Sequence, residues 1–324
     1  MSVESRLAAK ERSRSARRKA QIKKWTAILF VPVLALLIVG GIFLSKAIKK
    51  AANTVDFGKY LTKEGTIAGV ATKDLIKTFP DLNNITDLEI SVTATEEEIK
   101  SRKISTIKSM MAGTDDALDE DVADDDVLAL LKDEWVKKYA EKTLTDQEKE
   151  VSVAGFEAYV KELADETAFN NAKNKVTEYM TSHVELNKLP KDFTKFLSKK
   201  GMKYLEKREY DSVAPLYAAY FGVSSFEDYI TQTYGSEDEF KKAMAKNAES
   251  AVTYYVTWLE AFDRLGLSAS IEDYKKELFE KSTDTAEENE AAWKKNVETY
   301  SEEFLLLQYK CSLAVDALTK KLGE

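Results

Sequence analysis

The chain has 324 residues, 44% of them hydrophobic, and a net charge of −8. Its four prolines and twelve glycines are few for this length, so the composition favours long helices over sheet. The acidic balance argues against nucleic-acid binding, and the single Cys311 excludes an intrachain disulfide, so packing must stabilise the fold.

Residues 25–44 form an uncharged apolar stretch of twenty residues, WTAILFVPVLALLIVGGIFL. As a helix it would be about 30 Å long, which matches the hydrocarbon core of a bilayer. The preceding residues 1–24 carry nine basic and two acidic side chains, whereas three lysines follow the stretch closely. The positive-inside rule therefore predicts a transmembrane helix over residues 25–45, a basic cytoplasmic tail at 1–24, and an extracytoplasmic remainder.

A cleaved signal peptide is the alternative interpretation of residues 1–45. Its apolar region would be about 7–15 residues long and would end at a small-residue cleavage site. The observed stretch is longer and is followed by the charged sequence LSKAIKKAAN, which favours a retained anchor. The tail has a net charge of +7. Since the whole chain has a net charge of −8, the remaining residues together carry −15.

Residues 46–112 are predicted to form a linker or arm with short strands and one helix. The alternating patterns TVDFGKYL (54–61) and LEISV (88–92) are typical of extended segments. Thr95 and Glu98 have the spacing of a capping box. That box predicts a helix that begins there and continues through Met111.

Residues 113–126 contain eight acidic side chains. Like charges at this density repel one another, which predicts a solvated linker. Calcium binding is the alternative, because Asp119 and Asp121 begin the ligand alternation of an EF-hand loop. Ala123 and the missing mid-loop glycine break that pattern, so we predict no metal site.

Residues 127–324 are predicted to form a helical domain, because apolar residues recur at steps of three and four along three stripes. The first stripe is Phe156, Val160, Leu163, Val176, Met180 and His183. The second is Phe240, Met244, Ala248, Val252, Tyr255, Leu259 and Phe262, with Gly266 as the expected end of its helix. The third, predicted to be one helix of seven turns, is Trp293, Val297, Tyr300, Phe304, Leu307, Cys311, Ala314 and Leu318. Pro190 and Pro215 each predict a helix start or break.

His183 and Cys311 are the single histidine and the single cysteine of the chain. Both lie on apolar stripes, where packing is their ordinary role. The sequence contains no phosphate loop, dinucleotide fingerprint, nucleophile elbow or zinc-ligand spacing. We therefore predict that the protein is not an enzyme and has no catalytic residue, cofactor or metal.

Residues 202–234 are rich in aromatic side chains set among charged ones. Tyrosine combines a large rigid apolar face with a polar tip, so a surface of such rings can contact varied apolar sequences and remain soluble. The alternative is that the rings pack the junctions between helices. The candidate residues for binding an unfolded polypeptide are Met202, Tyr204, Tyr210, Tyr217, Tyr220, Phe221, Phe226, Tyr229 and Tyr234.

Three successive stretches resemble the C-terminal helical domain of trigger factor: YFGVSSFEDYI (220–230), GSEDEFKKAMAKNAESAV (235–252) and TWLEAFDRLGLSASIEDYKKEL (257–278). Upstream, DEWVKKYA (133–140) and the segment 156–190, which ends in Leu-Pro, are similar to the arm that precedes that domain. The stretches VDFGKYL and ITDLEISVTATEEEIKSR are similar to the strand and helix that lead into its linker. The resemblance spans residues 54–280 and consists of common residue types.

The resemblance implies the chaperone module alone, in which paired helical arms form a cradle for unfolded chains. The ribosome-docking motif of the family is missing, and about two dozen mostly acidic residues stand where its FKBP-like prolyl isomerase would lie. Isomerase activity is therefore not expected. Parvulin-carrying chaperones of bacterial envelopes share a similar helical module, but no parvulin segment is recognisable here.

We thus expect a mainly α protein with a single N-terminal transmembrane helix, an elongated multi-helix domain and a small extended segment. It would be tethered at the outer face of the plasma membrane of a Gram-positive bacterium. There it would bind unfolded or newly exported polypeptides, with the lipid bilayer and the secretion machinery as further partners and no nucleic acid. The alternative is a helical scaffold that docks one folded partner in an envelope complex.

Overall fold

A computed structural model describes residues 55–324, apart from 113, 120 and 283. The fold of these residues is mainly α, which confirms the predicted class. The predicted cytoplasmic tail (1–24) and transmembrane helix (25–45) lie outside the described residues. Among the residues that are described, no helix is both long enough and apolar enough to cross a membrane.

Most helices and strands follow one another along the chain with short connections; the longest run from Thr78 to Glu96 and from Met111 to Asp124. In chain order they are a 3₁₀ turn at Gly58–Tyr60, α1 (Thr72–Leu75), β1 (Ile76–Thr78), α2 (Glu96–Met111), α3 (Asp124–Ala129), α4 (Asp133–Trp135), a π-helical segment at Val136–Ala140, α5 (Glu141–Asp146), α6 (Val153–His183), β2 (Glu185–Leu186), α7 (Lys191–Phe196), a second π-helical segment at Leu197–Gly201, α8 (Met202–Phe221), α9 (Phe226–Tyr234), α10 (Glu237–Arg264), α11 (Ile271–Glu280), α12 (Ala286–Tyr300) and α13 (Glu302–Gly323).

These elements form two compact units. Among the described residues, the first unit comprises 55–84 and 178–317, and the second comprises 85–177 and 318–324. The predicted ranges 46–112, 113–126 and 127–324 stay predictions. Helices α6 and α13 each contribute residues to both units.

The second unit is organised around an aromatic and aliphatic core. The Trp135 ring meets Phe156 edge-on at a centroid distance of 5.3 Å, and its indole N–H donates to the sulfur of Met111 at 3.3 Å. Two side chains of the acidic segment 113–126, Leu118 and Val122, pack against the same core. That segment, predicted as a solvated linker, thus packs on the core through these two apolar residues, while its described aspartates are exposed.

Helix α2 begins as predicted. The hydroxyl of Thr95 accepts from the Glu98 backbone N–H at 3.2 Å, and the Glu98 carboxylate accepts from the Thr95 N–H at 2.8 Å. This reciprocal pair satisfies two backbone donors that a helix start leaves unpaired.

The described residues 55–61 and 88–92 form no strand, so the predicted short strands there are wrong, apart from an isolated bridge between Leu61 and Ile67. The sheet instead pairs β1 with β2 in antiparallel fashion, opposing Ile76 to Leu186. In residues 88–92 the burial does alternate, with the apolar side chains half-buried and the polar ones exposed, but no strand ladder forms there. Val92 lies against Gly323 of α13, so closely that a Cβ on that glycine would stand 2.4 Å from Val92 Cγ1. Packing on a helix terminus thus replaces strand pairing.

The second apolar stripe is confirmed. It belongs to α10, and all seven of its predicted residues are buried. Gly266 follows the helix with φ +67°, a left-handed conformation that glycine adopts without strain. In the first unit this helix packs at the centre, where Tyr255 lies edge-on to Phe304 and Phe304 stacks on Phe57 at 4.4 Å.

The third stripe does not form one helix. Ser301 interrupts it with φ +65°, so that α12 ends at Tyr300 and α13 begins at Glu302. The reason is local, because Ser301 is followed by two glutamates, the signature of a helix start, and its hydroxyl accepts from the Phe304 N–H at 3.4 Å. The apolar spacing continues across this position, so it did not predict that a second helix begins at Glu302.

The two prolines behave differently. Pro190 directly precedes α7, which confirms a helix start. Pro215 lies inside α8 and does not end it, so the predicted start or break there is wrong. Because proline has no N–H, the carbonyl four residues earlier loses its usual helical donor.

Candidate functional site

Helices α8 and α9 bring most of the predicted aromatic residues together in the first unit. Helix α8 ends at Phe221 and is followed by Gly222, whose φ of +65° reverses the chain. Val223 donates its N–H to the Tyr217 carbonyl at 3.3 Å. Ser225 then caps α9 by accepting from the Asp228 N–H at 3.0 Å. Glycine, a buried valine and a serine cap thus fold α9 back onto α8.

The rings between these helices form a continuous cluster. Tyr210 of α8 lies 5.3 Å from Tyr229 and 5.6 Å from Phe226, both on α9. Tyr217 lies edge-on to Tyr229 at 5.4 Å. Phe240 of α10 closes the cluster from the other side by contacting Phe226. Edge-on and tilted ring contacts of this kind add to the stability gained from burial.

A buried carboxylate lies at the centre of the cluster. Glu206 is 4% exposed, and its Oε1 accepts from the hydroxyls of Tyr229 and Tyr234, both at 2.6 Å. Burial raises the pKa of Glu206, while these two donors oppose the rise. Burial also raises the pKa of both tyrosines, with the charge of Glu206 as the next cause, so both remain protonated donors.

A second carboxyl lies one helical turn further along α8. Glu209 is half-buried, and burial, followed by the negative charge of Glu206, raises its pKa to about 7. Carboxyl side chains three residues apart face one another on a helix. Glu206 and Glu209, with Tyr217, Tyr229 and Tyr234, are called the carboxylate cluster below.

Beyond the carboxylate cluster, the end of α8 is exposed. Leu216, Tyr220 and Phe221 are 57%, 74% and 47% exposed, and they are the large hydrophobic side chains most accessible to solvent among the described residues. All three lie within the last six residues of one helix, and Phe221 also contacts the Tyr217 ring at 5.5 Å. We call these three residues the apolar tip. Exposed apolar side chains gathered in this way mark a surface suited to binding.

The nine predicted binding residues divide into three groups. The buried ones are Met202, Tyr210, Phe226 and Tyr229; the half-buried ones are Tyr204, Tyr217 and Tyr234; the exposed ones are Tyr220 and Phe221. Tyr204 faces away from the carboxylate cluster and contacts Phe57 at 6.2 Å. Packing between helices thus accounts for many of these rings, and the accessible part of the set is the tip.

Sequence reasoning missed Glu206, Glu209 and Leu216. The three-residue spacing of Glu206 and Glu209 among tyrosines indicates that the two carboxyls share one face of a helix. The same spacing of charged residues is also typical of a solvent-exposed helical face, so it does not predict a buried site. Leu216 follows a proline that suggested a break, so it was not assigned to a helix end.

The other candidate residues have structural positions. His183 is exposed at the end of α6, where its ring stacks on Tyr179 and its Nδ1 lies 2.9 Å from the Tyr179 carbonyl oxygen. Cys311 is buried in α13, and burial raises the pKa of its thiol. Within the described residues, no three His, Cys, Asp or Glu side chains are arranged to hold a metal ion.

Comparison of the chain with protein families, curated proteins and solved structures finds no match. The site is therefore interpreted from its own geometry: an accessible apolar surface supported by a buried, hydrogen-bonded ring cluster.

Proposed function

We propose that this protein is a membrane-tethered, extracytoplasmic chaperone-like protein that binds unfolded or newly exported polypeptides and does not isomerise prolines. The observation that carries the proposal is the apolar tip. Three large hydrophobic side chains stand in solvent at the end of a helix whose other half is well packed.

The energetics of the tip suit weak, reversible binding. Burying one large apolar side chain contributes about 1.5–3 kcal/mol. Three such side chains give a modest total, from which the costs of association and of ordering a flexible chain are subtracted. Contacts of this strength hold an unfolded polypeptide briefly and release it, as a holding function requires.

The charges near the tip favour a polypeptide over a lipid surface as the occupant. Residues 209–240 contain seven acidic side chains and no basic one. A helix end that inserts into an anionic membrane surface is normally accompanied by lysine or arginine. The acidic flanks would instead be repelled by such a surface.

The tether follows from the predicted transmembrane helix at residues 25–45. Phe57 is fully buried in the first unit, in contact with Phe196, Tyr204, Tyr300 and Phe304. Eleven residues, 46–56, separate the predicted span from this anchor point, and fully extended they reach at most about 40 Å. A tether this short would keep the tip at a high effective concentration near emerging chains.

The proposal also includes the resemblance to the trigger factor C-terminal domain. The residues that carry it most clearly, 220–278, extend from the apolar tip through α9 and α10 to α11. The part of the chain that suggested the family is thus the part that bears and supports the tip.

Photo-crosslinking tests the proposal. The full-length protein in lipid nanodiscs would carry a benzophenone amino acid at Tyr220 or, as a matched control, at the exposed Gln232 of α9. The probe is reduced, carboxymethylated α-lactalbumin, which stays unfolded. We expect crosslinks from position 220, few from 232, and none to native α-lactalbumin. Equal yields from both positions, or no crosslink at all, would overturn the proposal.

The scaffold alternative has a distinct outcome. A patch of three side chains is also the size of an anchor that fills one pocket on a folded protein. Crosslinking from position 220 to a single folded envelope protein, with none to the unfolded probe, would favour a docking scaffold.

A further inference from the structure

The segment that contains α7 and the start of α8 carries a row of exposed lysines. Residues 188–203 contain six lysines and a single acidic side chain, Asp192. All six lysines are exposed to solvent; they are Lys188, Lys191, Lys195, Lys199, Lys200 and Lys203. We call these six residues the lysine stripe. The charge then reverses in residues 209–240, whose ionisable side chains other than tyrosine are all acidic.

Helix geometry directs the lysine stripe away from the core. Four buried residues of this region recur every four positions; they are Phe193, Leu197, Gly201 and Leu205. Lys195, Lys199 and Lys203 also recur every four positions, displaced from the buried set by two residues, which is just over half a helical turn. The π-helical segment at Leu197–Gly201 has a wider turn than an α-helix, so it offsets the drift of a four-residue repeat around the helix.

The lysine stripe differs from an ordinary solvated helix face, which carries both signs of charge in pairs three or four residues apart. The start of α10 is such a face, where Lys241 lies 3.3 Å from Glu237. Among the described residues, no member of the lysine stripe forms an ion pair. The next lysine along α8, Lys207, is held by the Asp211 carboxylate at 2.7 Å and lies over the Phe226 ring at 5.8 Å. Positive charges gathered without partners favour an anionic surface.

The lysine stripe lies beside the point where the predicted tether enters the fold. Phe57 packs edge-on against Phe196 of α7 at a centroid distance of 5.4 Å. Tyr60 continues along the same helix and contacts Phe193 at 6.0 Å and Phe196 at 4.9 Å. Residues 46–56 alone separate the predicted span from Phe57, which keeps this contact within about 40 Å of the bilayer surface.

Anionic phospholipid headgroups are the partner that this arrangement fits. Each lysine that comes close to an anionic bilayer raises the affinity for it about fivefold. The attraction extends over roughly one Debye length, about 8–10 Å at moderate salt, so the lysines must approach the headgroups. The tether holds the lysine stripe at a high effective concentration next to that surface, an advantage that a soluble polyanion lacks.

We propose that the lysine stripe docks the first unit on anionic lipid headgroups of the membrane that holds the tether. Docking also sets an orientation, because α8 is 20 residues long, about 30 Å, and the same headgroups repel the acidic residues around its far half. The stripe end of α8 therefore faces the bilayer, and the apolar tip faces away from it. The docking goes beyond the proposed function but rests on the tether that the proposed function includes.

Lysine footprinting of the full-length protein tests the docking. The protein is reconstituted in nanodiscs of phosphatidylcholine alone or mixed with an equal part of phosphatidylglycerol. Single-hit acetylation by the uncharged reagent N-hydroxysuccinimidyl acetate is measured at each lysine by mass spectrometry. We expect the lysine stripe to react about fivefold more slowly in the anionic discs, and the exposed Lys246 of α10 to react equally in both. A difference at the stripe below about twofold, less than one lysine near the surface contributes, would overturn the proposal.

Removing three charges from the lysine stripe, or three from α10 as a matched control, assigns the effect. The stripe variant carries Lys195→Gln, Lys199→Gln and Lys203→Gln, and the control carries Lys241→Gln, Lys242→Gln and Lys246→Gln. All six side chains are exposed, so neither variant should change the fold. The remaining stripe lysines should lose their protection in the first variant and keep it in the control. Equal loss in both would show a general attraction of the protein to the discs and overturn a specific docking face.

Salt and lipid adducts give two further readouts. At about 1 M salt the Debye length falls to about 3 Å, so protection in the anionic discs should disappear. Protection that persists would come from a non-electrostatic contact and contradict headgroup docking. A benzophenone at position 220 should form no lipid adduct in the anionic discs, and an adduct there would overturn the proposed orientation.

The tether and client binding are measured on the same samples. A protein that elutes apart from the discs would overturn the tether, and the docking with it. Crosslinking from position 220 to reduced, carboxymethylated α-lactalbumin is measured in the phosphatidylcholine discs, where no docking is expected. Protected lysines without crosslinks retain the docking and overturn client binding, whereas crosslinks with unprotected lysines do the reverse.

Discussion

The two halves of α8 differ in burial although both carry tyrosines. The inner half, from Met202 to Tyr210, buries four residues, including Tyr210 and the ionisable Glu206. The outer half, 211–221, buries none and presents the apolar tip to solvent. Aromatic content alone thus does not distinguish a packed helix from a binding surface; the extent to which neighbouring helices cover each half does, since the outer half meets α9 through Tyr217 but keeps its last rings in solvent. Four predictions test that contrast, in order of decreasing effect on stability.

The largest effect on stability is expected from Tyr229→Ala, because this α9 ring packs against Tyr210 in the inner half of α8. The substitution removes a buried ring and one of the two hydroxyls that satisfy Glu206. We expect the free energy of unfolding to fall by about 4 kcal/mol, measured by urea denaturation. Tyr229→Phe, which keeps the ring and leaves Tyr234 as a donor, should cost only about 1 kcal/mol. Equal losses in the two variants would show that ring packing contributes little.

Pro215→Ala should stabilise the outer half. Alanine restores an N–H donor for the carbonyl of Asp211 and is a better helix former at an exposed position. We expect a gain of about 1–3 kcal/mol in the urea midpoint analysis. Pro190→Ala is the matched control, because that proline precedes α7 and breaks no helical hydrogen bond; no comparable gain is expected there. A loss of stability in Pro215→Ala would mean that the proline is needed for packing.

The pH dependence of stability should change in Glu209→Gln. Because the pKa of Glu209 is raised in the folded protein to about 7, its contribution to stability is complete below about pH 4.5. It is lost as the pH rises through about 7. The wild type minus variant difference in unfolding free energy should therefore fall across that window and level off above it. A difference that stays constant with pH would contradict the raised pKa.

The smallest effect on stability is expected from Tyr220→Ala at the tip. The ring is 74% exposed, so the free energy of unfolding should change by no more than about 0.5 kcal/mol. Crosslinking to the unfolded probe from a neighbouring position should nevertheless drop. A large loss of stability would place Tyr220 in the packed half of α8 and remove it from the binding surface.

Local sequence signals predicted several elements correctly. The Thr95–Glu98 capping box fixes the start of α2, and the stripe from Phe240 to Phe262 identifies α10, which Gly266 follows after Leu265. These succeeded because a cap or a helical period needs only residues within a few turns. The third stripe was wrongly predicted to be one helix. The apolar residues keep the same spacing across Ser301, so the sequence pattern does not reveal that α12 ends and α13 begins there.

Local sequence signals did not predict strand pairing or the exposure of individual rings, because both depend on residues far apart in the chain. The alternation of residues 88–92 is present in the structure, but whether it forms a ladder depends on a partner strand, and none pairs with it. Tyr210 and Tyr220 are the same residue type on the same helix, yet one is 6% and the other 74% exposed. No periodicity within α8 encodes the difference.

The sequence by itself thus determined the helical class, the capped helix starts and the apolar faces, because each arises from interactions between residues close in the chain. The tertiary structure alone decided which rings remain in solvent and which carboxyl side chains are withdrawn from water. The burial that raises the pKa of Glu206, and the Tyr229 and Tyr234 hydroxyls that oppose this rise, depend on α9, which contacts α8 only after the chain has folded.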